Sequence, residues 1–380
     1  MIQTRTGNII THEEMFFGTI EWQDQKITKI EKNGPFREEA DRILAGFIEV
    51  HHHGTGPYTV ESAGDIRGMA EFAPQCGTTT LCPTQASATR EFFVKILRET
   101  AAIAKAEPLG AKIAGTHMEG PFLDLKFKGG MIPEMLRLPT IEEVRDYLEA
   151  ADGTLKIMTI APELPGALKV IRFLKENGVT VSAGHTNCPP EFLGEAIDAG
   201  LSQMCHLFDA YDCPTSPEGV RLPALTDIAL IRDEVMKEVI MDGLHVPPEL
   251  ITLTRRAAGA AHIIGITDAM QGAGMKYARF QNSGEWYTVR EGELARREQD
   301  NAIVGSSLSM NRAFYNMTHR FGFTRMEATM CLSANPAKAL HQEELTGRLT
   351  PGLLADIAIL APDDLTVKEC IVNGRTAFAL

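Results

Sequence analysis

The chain has 380 residues, with 37 Lys and Arg residues against 50 Asp and Glu residues and a formal net charge of −13 at pH 7. An acidic chain has no overall attraction for a polyphosphate backbone or for anionic lipid, which argues against nucleic acid and membranes as partners. With 44% hydrophobic and 23% charged residues, the composition is that of a globular protein and excludes a disordered or fibrous one.

The seven cysteines are odd in number and scattered, and no CxxC pair occurs among them. The N-terminal residues lack the apolar core of a secretory signal, and no apolar run approaches the roughly 20 residues that span a bilayer. We therefore expect a reduced, cytoplasmic protein without a disulfide framework.

The first 43 residues contain short strand-like pieces at 16–22 and 26–31, separated by turn residues. From residue 44 onward, short apolar runs alternate with longer amphipathic stretches, which is typical of βα units around a parallel sheet. Eight strands are predicted, at 44–50, 78–82, 112–116, 155–160, 180–183, 203–205, 239–241 and 263–267. The helices predicted between them lie at 90–106, 140–151, 168–177, 190–199 and 248–260.

The last third of the chain departs from this alternation. Residues 276–303 are polar and lack a helical period, which predicts a hairpin or excursion after the last of the eight strands. Strand-like pieces follow at 357–360 and 367–372, and Asn373-Gly374 is a tight-turn signal. Neither terminus alone can bury a core, so we expect the two to pair.

The sequence thus predicts an α/β fold, a (β/α)8 TIM-like barrel with a small β-sandwich domain formed by both termini. The predicted ranges are 44–345 for the barrel and 1–43 with 346–380 for the small domain. In such barrels, functional groups lie at the carboxyl ends of the strands.

The strongest local feature is the triplet His51-His52-His53 directly after the first predicted strand. In a strand, residues i and i+2 point to the same face, so His51 and His53 face one way and His52 the other. Two imidazoles at the mouth of a barrel strand can grip one metal ion, whereas a solvated loop is the alternative. We interpret His52 as structural.

Imidazole or carboxylate groups also follow other predicted strands, at Glu119, His185, His206 and Asp268. Any one of them alone would be weak evidence, but together they indicate a metal site. Four imidazoles with carboxylates suit Zn²⁺, Fe²⁺, Mn²⁺ or Ni²⁺ better than Ca²⁺ or Mg²⁺. We expect one or two divalent ions per chain with zinc as the first candidate, and we favour two ions with Glu119 between them.

Nine motifs follow one another in order between residues 46 and 360. They are GFIEVHHHG (46–54), GTHMEGPFL (115–123), SAGHTN (182–187), CHLFDA (205–210), MDGLHVPP (241–248), ITDAM (266–270), VGSSLSM (304–310), NPAKAL (335–340) and GRLTPGLLADIAIL (347–360). This series resembles the amidohydrolase superfamily and, within it, the N-acetylglucosamine-6-phosphate deacetylases.

The resemblance implies a metal-dependent barrel with a flanking β-domain, and a homodimer whose partner lines the substrate pocket. Our candidate metal ligands are His51, His53, Glu119, His185, His206 and Asp268. Of these, the resemblance implies Glu119, His185 and His206, while His51 and His53 resemble the pair of the two-metal members, which some deacetylases lack because they hold one ion. The resemblance also makes Asp268 the catalytic carboxylate and His245 a substrate contact. A bound metal lowers the pKa of water, and Asp268 would take the proton of that water and pass it to the leaving amine. The products would be a carboxylate, expected to be acetate, and a free amine.

Three departures from the deacetylase pattern concern the substrate. Met131 stands where the pattern has a histidine, Asp209-Ala210 replaces Asn-Ala, and residues 215–219 replace an Arg-Glu-Pro-Gly element that grips phosphate. Arg221 is near enough in sequence to substitute for that arginine. The candidate substrate-binding residues are Met131, Asp209, Ala210, Arg221 and His245.

These departures leave alternatives open. One is a different, non-phosphorylated N-acyl substrate, and others are a lactonase, a cyclic amidase or a deaminase on the same scaffold. A non-enzymatic scaffold would predict a broken ligand set, whereas the set here is complete in sequence.

Overall fold

The computed structural model describes residues 1–282 and 285–380. Eight parallel strands, here β1–β8, form the centre of the molecule. Their bounds are β1 Phe47–Glu49, β2 Thr78–Leu81 with Thr84–Gln85, β3 Lys112–Ile113 with Thr116–Glu119, β4 Leu155–Ile160, β5 Thr180–Ala183, β6 Leu201–Met204, β7 Met236–Ile240 and β8 Ile263–Ile266.

These strands follow one another around a ring in chain order. Each of β1–β8 pairs in parallel with the next. The two edges meet just beyond β1 and β8, where the His53 amide donates to the Ala269 carbonyl at 2.7 Å and the Asp268 amide donates to the His51 carbonyl at 3.0 Å. The predicted TIM-like barrel is therefore confirmed.

The first predicted strand, 44–50, is divided in the structure. Arg42–Ala45 belongs to the sheet of the termini, and β1 begins only at Phe47. Gly46 separates them, and a Cβ at this glycine would lie 2.1 Å from Thr79 Cγ2. Only glycine lets the chain pass this close to β2 as it crosses from one sheet to the other.

Helices connect the barrel strands and cover them. The α-helices are Ala63–Phe72, Arg90–Ala104, Ile141–Ala151, Ala167–Glu176, Leu193–Ala199, Leu225–Leu230, Pro248–Ala258, Met310–His319, Arg325–Thr329 and Asn335–Ala339. The 3₁₀-helices are Ala73–Cys76, Pro133–Met135, Pro190–Phe192 and Ala260–His262, and Met330–Ala334 is a π-helical turn. Each of the five predicted helices is present.

Local sequence explains where these helices begin and which face they bury. In Ile141–Ala151, for example, the Thr140 side chain accepts a hydrogen bond from the Glu143 amide at 3.2 Å, which caps the first turn. Val144, Tyr147 and Ala151 follow at helical spacing and are fully buried against the barrel.

The two termini form one seven-stranded sheet. Its strands are Ile2–Ile10, Met15–Gln23, Lys26–Gly34, Arg42–Ala45, Ile357–Leu360, Val367–Val372 and Arg375–Ala379. The N- and C-terminal halves join where Arg42–Ala45 pairs antiparallel with Ile357–Leu360. Asn373 and Gly374 both have positive φ in the predicted turn. The pairing of the termini is confirmed, and the division of the chain at 43/44 and 345/346 stays a prediction.

The predicted excursion after the last barrel strand is a small antiparallel sheet. Its strands are Tyr277–Asn282, Glu285–Arg290, Leu294–Arg297 and Ile303–Ser306. Ser283 and Gly284, which also fall in the predicted excursion, lie outside the described residues. Within the described ranges, no helix combines the length and the apolar character that crossing a membrane requires.

The core of the terminal sheet gives a test of this fold. Trp22 is fully buried, and its indole N–H donates to the Gly374 carbonyl at 2.9 Å, which ties the N-terminal strands to the C-terminal turn. We expect Trp22→Ala to destabilise the protein by about 3–5 kcal/mol because it leaves a large cavity. Trp286→Ala is the control, since Trp286 is 41% exposed, and we expect it to cost below about 1 kcal/mol. Calorimetric unfolding of both variants measures the difference, and equal losses would contradict the assigned core.

Candidate functional site

Six predicted side chains gather at the carboxyl ends of five barrel strands. The pair from the histidine triplet follows β1, Glu119 ends β3, and the others come directly after β5, β6 and β8: His51, His53, Glu119, His185, His206 and Asp268. Five of the six residues are buried and His53 is partly buried. The structure therefore brings together all the groups that the sequence proposed as metal ligands.

The backbone turns sharply where three of these groups leave their strands. His185, His206 and Asp268 have φ values of 50°, 21° and 47°, in the left-handed region that residues other than glycine rarely adopt. Such strain persists only where the surrounding structure holds it, and it is common at functional sites. Here the strained residue lies where each chain segment turns from its strand into the barrel mouth.

Glu119 lies between two sets of imidazoles. Its Oε1 atom is 3.0 Å from His185 Nε2 and 2.9 Å from His206 Nε2, and its Oε2 atom is 3.2 Å from His53 Nε2. On the second side, His53 Nε2 lies 3.3 Å from Asp268 Oδ1, and His51 joins both residues in a group whose ligand atoms lie within 4.8 Å of one another. The arrangement offers two adjacent sets of ligand atoms with one carboxylate between them.

Hydrogen bonds on the far side of three rings set their tautomers. His53 Nδ1 lies 3.0 Å from the Thr84 carbonyl oxygen, His185 Nδ1 lies 2.7 Å from the Phe127 carbonyl oxygen, and His51 Nδ1 lies 3.1 Å from a Glu238 carboxylate oxygen. Because these oxygens can only accept, each Nδ1 carries a hydrogen, and in the neutral ring each Nε2 presents a lone pair to the centre. This is the pattern of metal-bound histidines in proteins.

The centre also contains buried polar atoms that make no hydrogen bond among the described residues. They include His51 Nε2 and Glu119 Oε2. Buried polar atoms are almost always paired, and an ion is one explanation when they are not. His185 Nε2 and His206 Nε2 are 3.1 Å apart, which directs two ring nitrogens at one point. These donors fit a divalent cation of the borderline class.

Two other histidines near the site are structural. Burial, together with the charges of nearby histidines, lowers the pKa of His52 to about 3 and that of His117 to about 4. The His117 ring lies between the Val50 carbonyl, 3.0 Å from Nδ1, and the Thr159 hydroxyl, 2.8 Å from Nε2. These rings are neutral parts of the barrel interior, as we expected for His52.

His245 forms a buried pair with Asp242 on the loop after β7. Its Nδ1 atom lies 2.6 Å from Asp242 Oδ2, and Asp242 Oδ1 accepts the backbone amides of Leu244 and His245. Burial lowers the pKa of His245, but the bond to Asp242 and the charges of Asp242, Asp268 and Asp209 outweigh it, so the pKa is raised. The ring is held in one orientation and favours its cationic form.

The other candidate substrate contacts lie in two loops. Met131 Sδ accepts the Ser87 amide at 3.4 Å, and Asp209 and Ala210 are partly buried residues directly after His206. Arg221 is different, because its side chain is 61% exposed and is paired with Asp227 at 2.8 Å. Its guanidinium therefore points toward solvent and a neighbouring carboxylate.

The sequence analysis missed the groups that hold the candidate metal ligands and His245 in place. They are Asp242, Gln203 and Glu238, together with the carbonyls of Thr84 and Phe127. Glu238 is fully buried on β7 beside a second buried charged residue, Lys237, and the strand predicted at 239–241 left both of them out. No sequence pattern marks a backbone carbonyl as a partner of a distant imidazole.

Comparison with known proteins places this site in a family. The sequence profile of the amidohydrolase family matches residues 42–377. The chain belongs to the amidohydrolase family. It is an enzyme of the class that acts on amide C–N bonds, which confirms the resemblance and the enzyme class inferred from the sequence.

Three relatives illustrate the match. The chain is 31% identical to an N-acetylglucosamine-6-phosphate deacetylase of Bacillus subtilis (strain 168), over 97% of this chain and 95% of that protein. It is 30% identical to an N-acetylgalactosamine-6-phosphate deacetylase of Escherichia coli O157:H7, over 89% of this chain and 88% of that one. The structure of a Mycobacterium smegmatis N-acetyl-D-glucosamine-6-phosphate deacetylase variant, in complex with N-acetyl-D-glucosamine-6-phosphate, superposes with a TM-score of 0.90 at 27% identity and covers all of both chains.

The His245–Asp242 pair predicts a pH-dependent contribution to stability. Because the pKa of His245 is raised in the folded state, this contribution is complete below the ordinary value of about 6.5 and is lost as the pH rises through the folded value. We expect Asp242→Asn to lose about 1–3 kcal/mol at pH 6 and progressively less above it.

The control is Asp227→Asn, because Asp227 also accepts a backbone amide and a cationic side chain, but its partner Arg221 does not titrate in this range. Melting temperatures of both variants between pH 6 and pH 9 measure the effect. A loss for Asp242→Asn that is independent of pH would show that the pair is not ionic.

Proposed function

We propose that this chain is a metal-dependent deacetylase that hydrolyses the N-acetyl amide bond of an amino sugar, with N-acetylglucosamine 6-phosphate as the first candidate substrate. The observation that carries the proposal is the convergence of three imidazoles on Glu119, within a set of six candidate ligands, in a chain that aligns over 97% of its length with a deacetylase. An N-acetylated galactosamine phosphate is a close variant, since one relative acts on that sugar.

Two cations per chain account best for the ligand arrangement. His185 and His206 would hold one of them, His51, His53 and Asp268 would hold the other, and Glu119 would contribute to both. Imidazole and carboxylate ligands suit zinc first, with iron, manganese and nickel as alternatives. When bound, a divalent cation lowers the pKa of water toward about 7 and supplies positive charge for the oxyanion that develops at the amide.

Asp268 would transfer the proton. Burial raises the pKa of Asp268, but the hydrogen bond with His53 and the charges of His51 and His53 lower it to about 2. The carboxylate is therefore ionised at neutral pH and can accept the proton of the attacking water. The same carboxyl group then donates that proton to the leaving amine, which needs it to depart as a neutral group.

His245 would orient the substrate. Asp242 holds Nδ1, so Nε2 is the ring nitrogen left to donate a hydrogen bond to an acyl or hydroxyl oxygen. A cationic donor also stabilises negative charge as it develops on that oxygen.

A second candidate is a non-phosphorylated N-acyl compound. It is favoured by the ion pair between Arg221 and Asp227, which occupies the guanidinium nearest in sequence to the missing Arg-Glu-Pro-Gly element. The Asp209 carboxylate would also repel a phosphate placed near it.

The compartment and the assembly remain part of the proposal. A cytoplasmic location is supported by the seven cysteines, none of which forms a disulfide. A homodimer rests on the family resemblance alone.

A substrate panel tests the function. We expect acetate release from N-acetylglucosamine 6-phosphate to exceed that from N-acetylglucosamine by at least about tenfold in kcat/KM, since phosphate binding adds on the order of 1.4 kcal/mol or more. A preference for the unphosphorylated sugar would favour the second candidate. Release of ammonia, or hydrolysis of a lactone without any amide cleavage, would refute the deacetylase proposal.

The role of Asp268 has its own test. We expect Asp268→Asn to retain bound metal, because the amide keeps one oxygen ligand, and to lower kcat by about 10²–10⁴-fold, because it cannot accept a proton. Metal content by mass spectrometry and initial rates measure the two effects. Asp146→Asn, on the surface beside Arg90, is the control and should match the wild type. Turnover at the wild-type rate in Asp268→Asn would contradict the proton-transfer role.

A further inference from the structure

A buried carboxylate outside the ligand set contacts the site from behind. Glu238 lies on β7, is fully buried, and places its Oε2 atom 3.1 Å from Nδ1 of His51. Its Oε1 atom accepts a hydrogen bond from Nε2 of Gln203, on β6, at 2.7 Å. Gln203 is also fully buried, so the two side chains form a chain of hydrogen bonds that ends on one candidate ligand.

This contact decides which nitrogen of His51 is free. A carboxylate can only accept, so Nδ1 must carry a hydrogen, and in the neutral ring, which is the form that binds a cation, Nε2 keeps its lone pair. That lone pair lies on the side of Glu119 Oε1 and Asp268 Oδ1, at 3.6 Å and 3.7 Å. In the opposite tautomer, His51 would present an N–H to the same space and could not bind a cation there.

We propose that Glu238, oriented by Gln203, is a positioning residue that fixes the His51 tautomer and thereby sets the cation affinity of the His51, His53 and Asp268 group. The inference rests on the metal site of the proposed function. Glu238 does not touch the substrate or the cation, and it acts only through His51.

The Nδ1 atom of His51 depends on a side-chain acceptor, whereas those of its neighbours do not. His53 and His185 use backbone carbonyls as acceptors, which no substitution removes. Of these three rings, only His51 relies on a charged side chain. An isolated buried carboxylate costs several kcal/mol unless it is paired, so packing alone does not account for a fully buried Glu238.

A buried charged residue on the same strand supplies the control. Lys237 precedes Glu238 on β7, is fully buried, and donates from Nζ to the Arg232 carbonyl at 2.6 Å. Successive residues of a strand point to opposite faces, so Lys237→Met leaves Glu238 and His51 in place. It should therefore leave cation affinity within about twofold of the wild type.

Two substitutions of Glu238 separate loss of the acceptor from loss of charge. Glu238→Leu removes the acceptor. Glu238→Gln can keep its oxygen on His51 if its new amide N–H finds an acceptor on the other side. Gln203 Oε1 has no hydrogen-bond partner among the described residues, so it becomes that acceptor when the Gln203 amide rotates. We therefore expect partial rescue by glutamine and none by leucine.

The experiment is a Zn²⁺ titration of chelator-treated protein, followed by competition with a metal indicator and by mass spectrometry of bound metal. We expect Glu238→Leu to weaken one of two Zn²⁺ affinities by about 10–100-fold, in the range seen when partners of metal-binding histidines are removed. Glu238→Gln should lose less, and the cation held by His185 and His206 should be retained in both variants.

The outcomes separate this inference from the function it rests on. If wild-type protein binds no Zn²⁺, the metal site and this inference both fail. If wild-type protein binds Zn²⁺ and the folded Glu238→Leu variant binds it equally well, only the positioning role fails, even where the melting temperature has fallen. Should Glu238→Leu not fold, Gln203→Leu frees Glu238 to move and should weaken the same affinity at least threefold, and unchanged binding there overturns the role.

Discussion

The site depends on one buried carboxylate that stands between two sets of imidazoles. Glu119 is almost fully buried, and its two oxygens face ring nitrogens supplied by three other strands. A charge in this position is stable only where opposite charge or hydrogen-bond donors meet it. The lone pairs of His185, together with the unpaired atoms at the centre, make a cation the group that satisfies this requirement best.

The rest of the barrel mouth holds the side chains around Glu119 in position. Left-handed turns follow β5, β6 and β8 where the ligands leave the strands, and acceptors behind the rings determine which nitrogen faces inward. The hydrogen bonds between the segments after β1 and β8 hold His51 and Asp268 side by side, so closing the barrel also assembles the second set of ligands. Fold and site are therefore products of the same strand pairings.

Much of this arrangement follows from patterns that a linear sequence carries. Apolar runs mark the eight strands, and helical spacing of apolar residues marks the helices between them. The rule that strands of a barrel end on one face then places six ligands together. The strand predicted at 44–50 shows the limit of such reasoning, because an apolar run does not reveal that Gly46 divides it between two sheets.

Residue type and local spacing were enough to identify the family, the barrel and a set of candidate ligands. Only the tertiary structure decided that Arg221 is paired with Asp227, that Asp242 holds His245, and that Glu238 contacts His51. Each of these rests on where side chains of separate loops or strands come to lie. Local periodicity fixes the direction of a side chain relative to its own strand, whereas the partner it meets depends on the packing of the whole barrel.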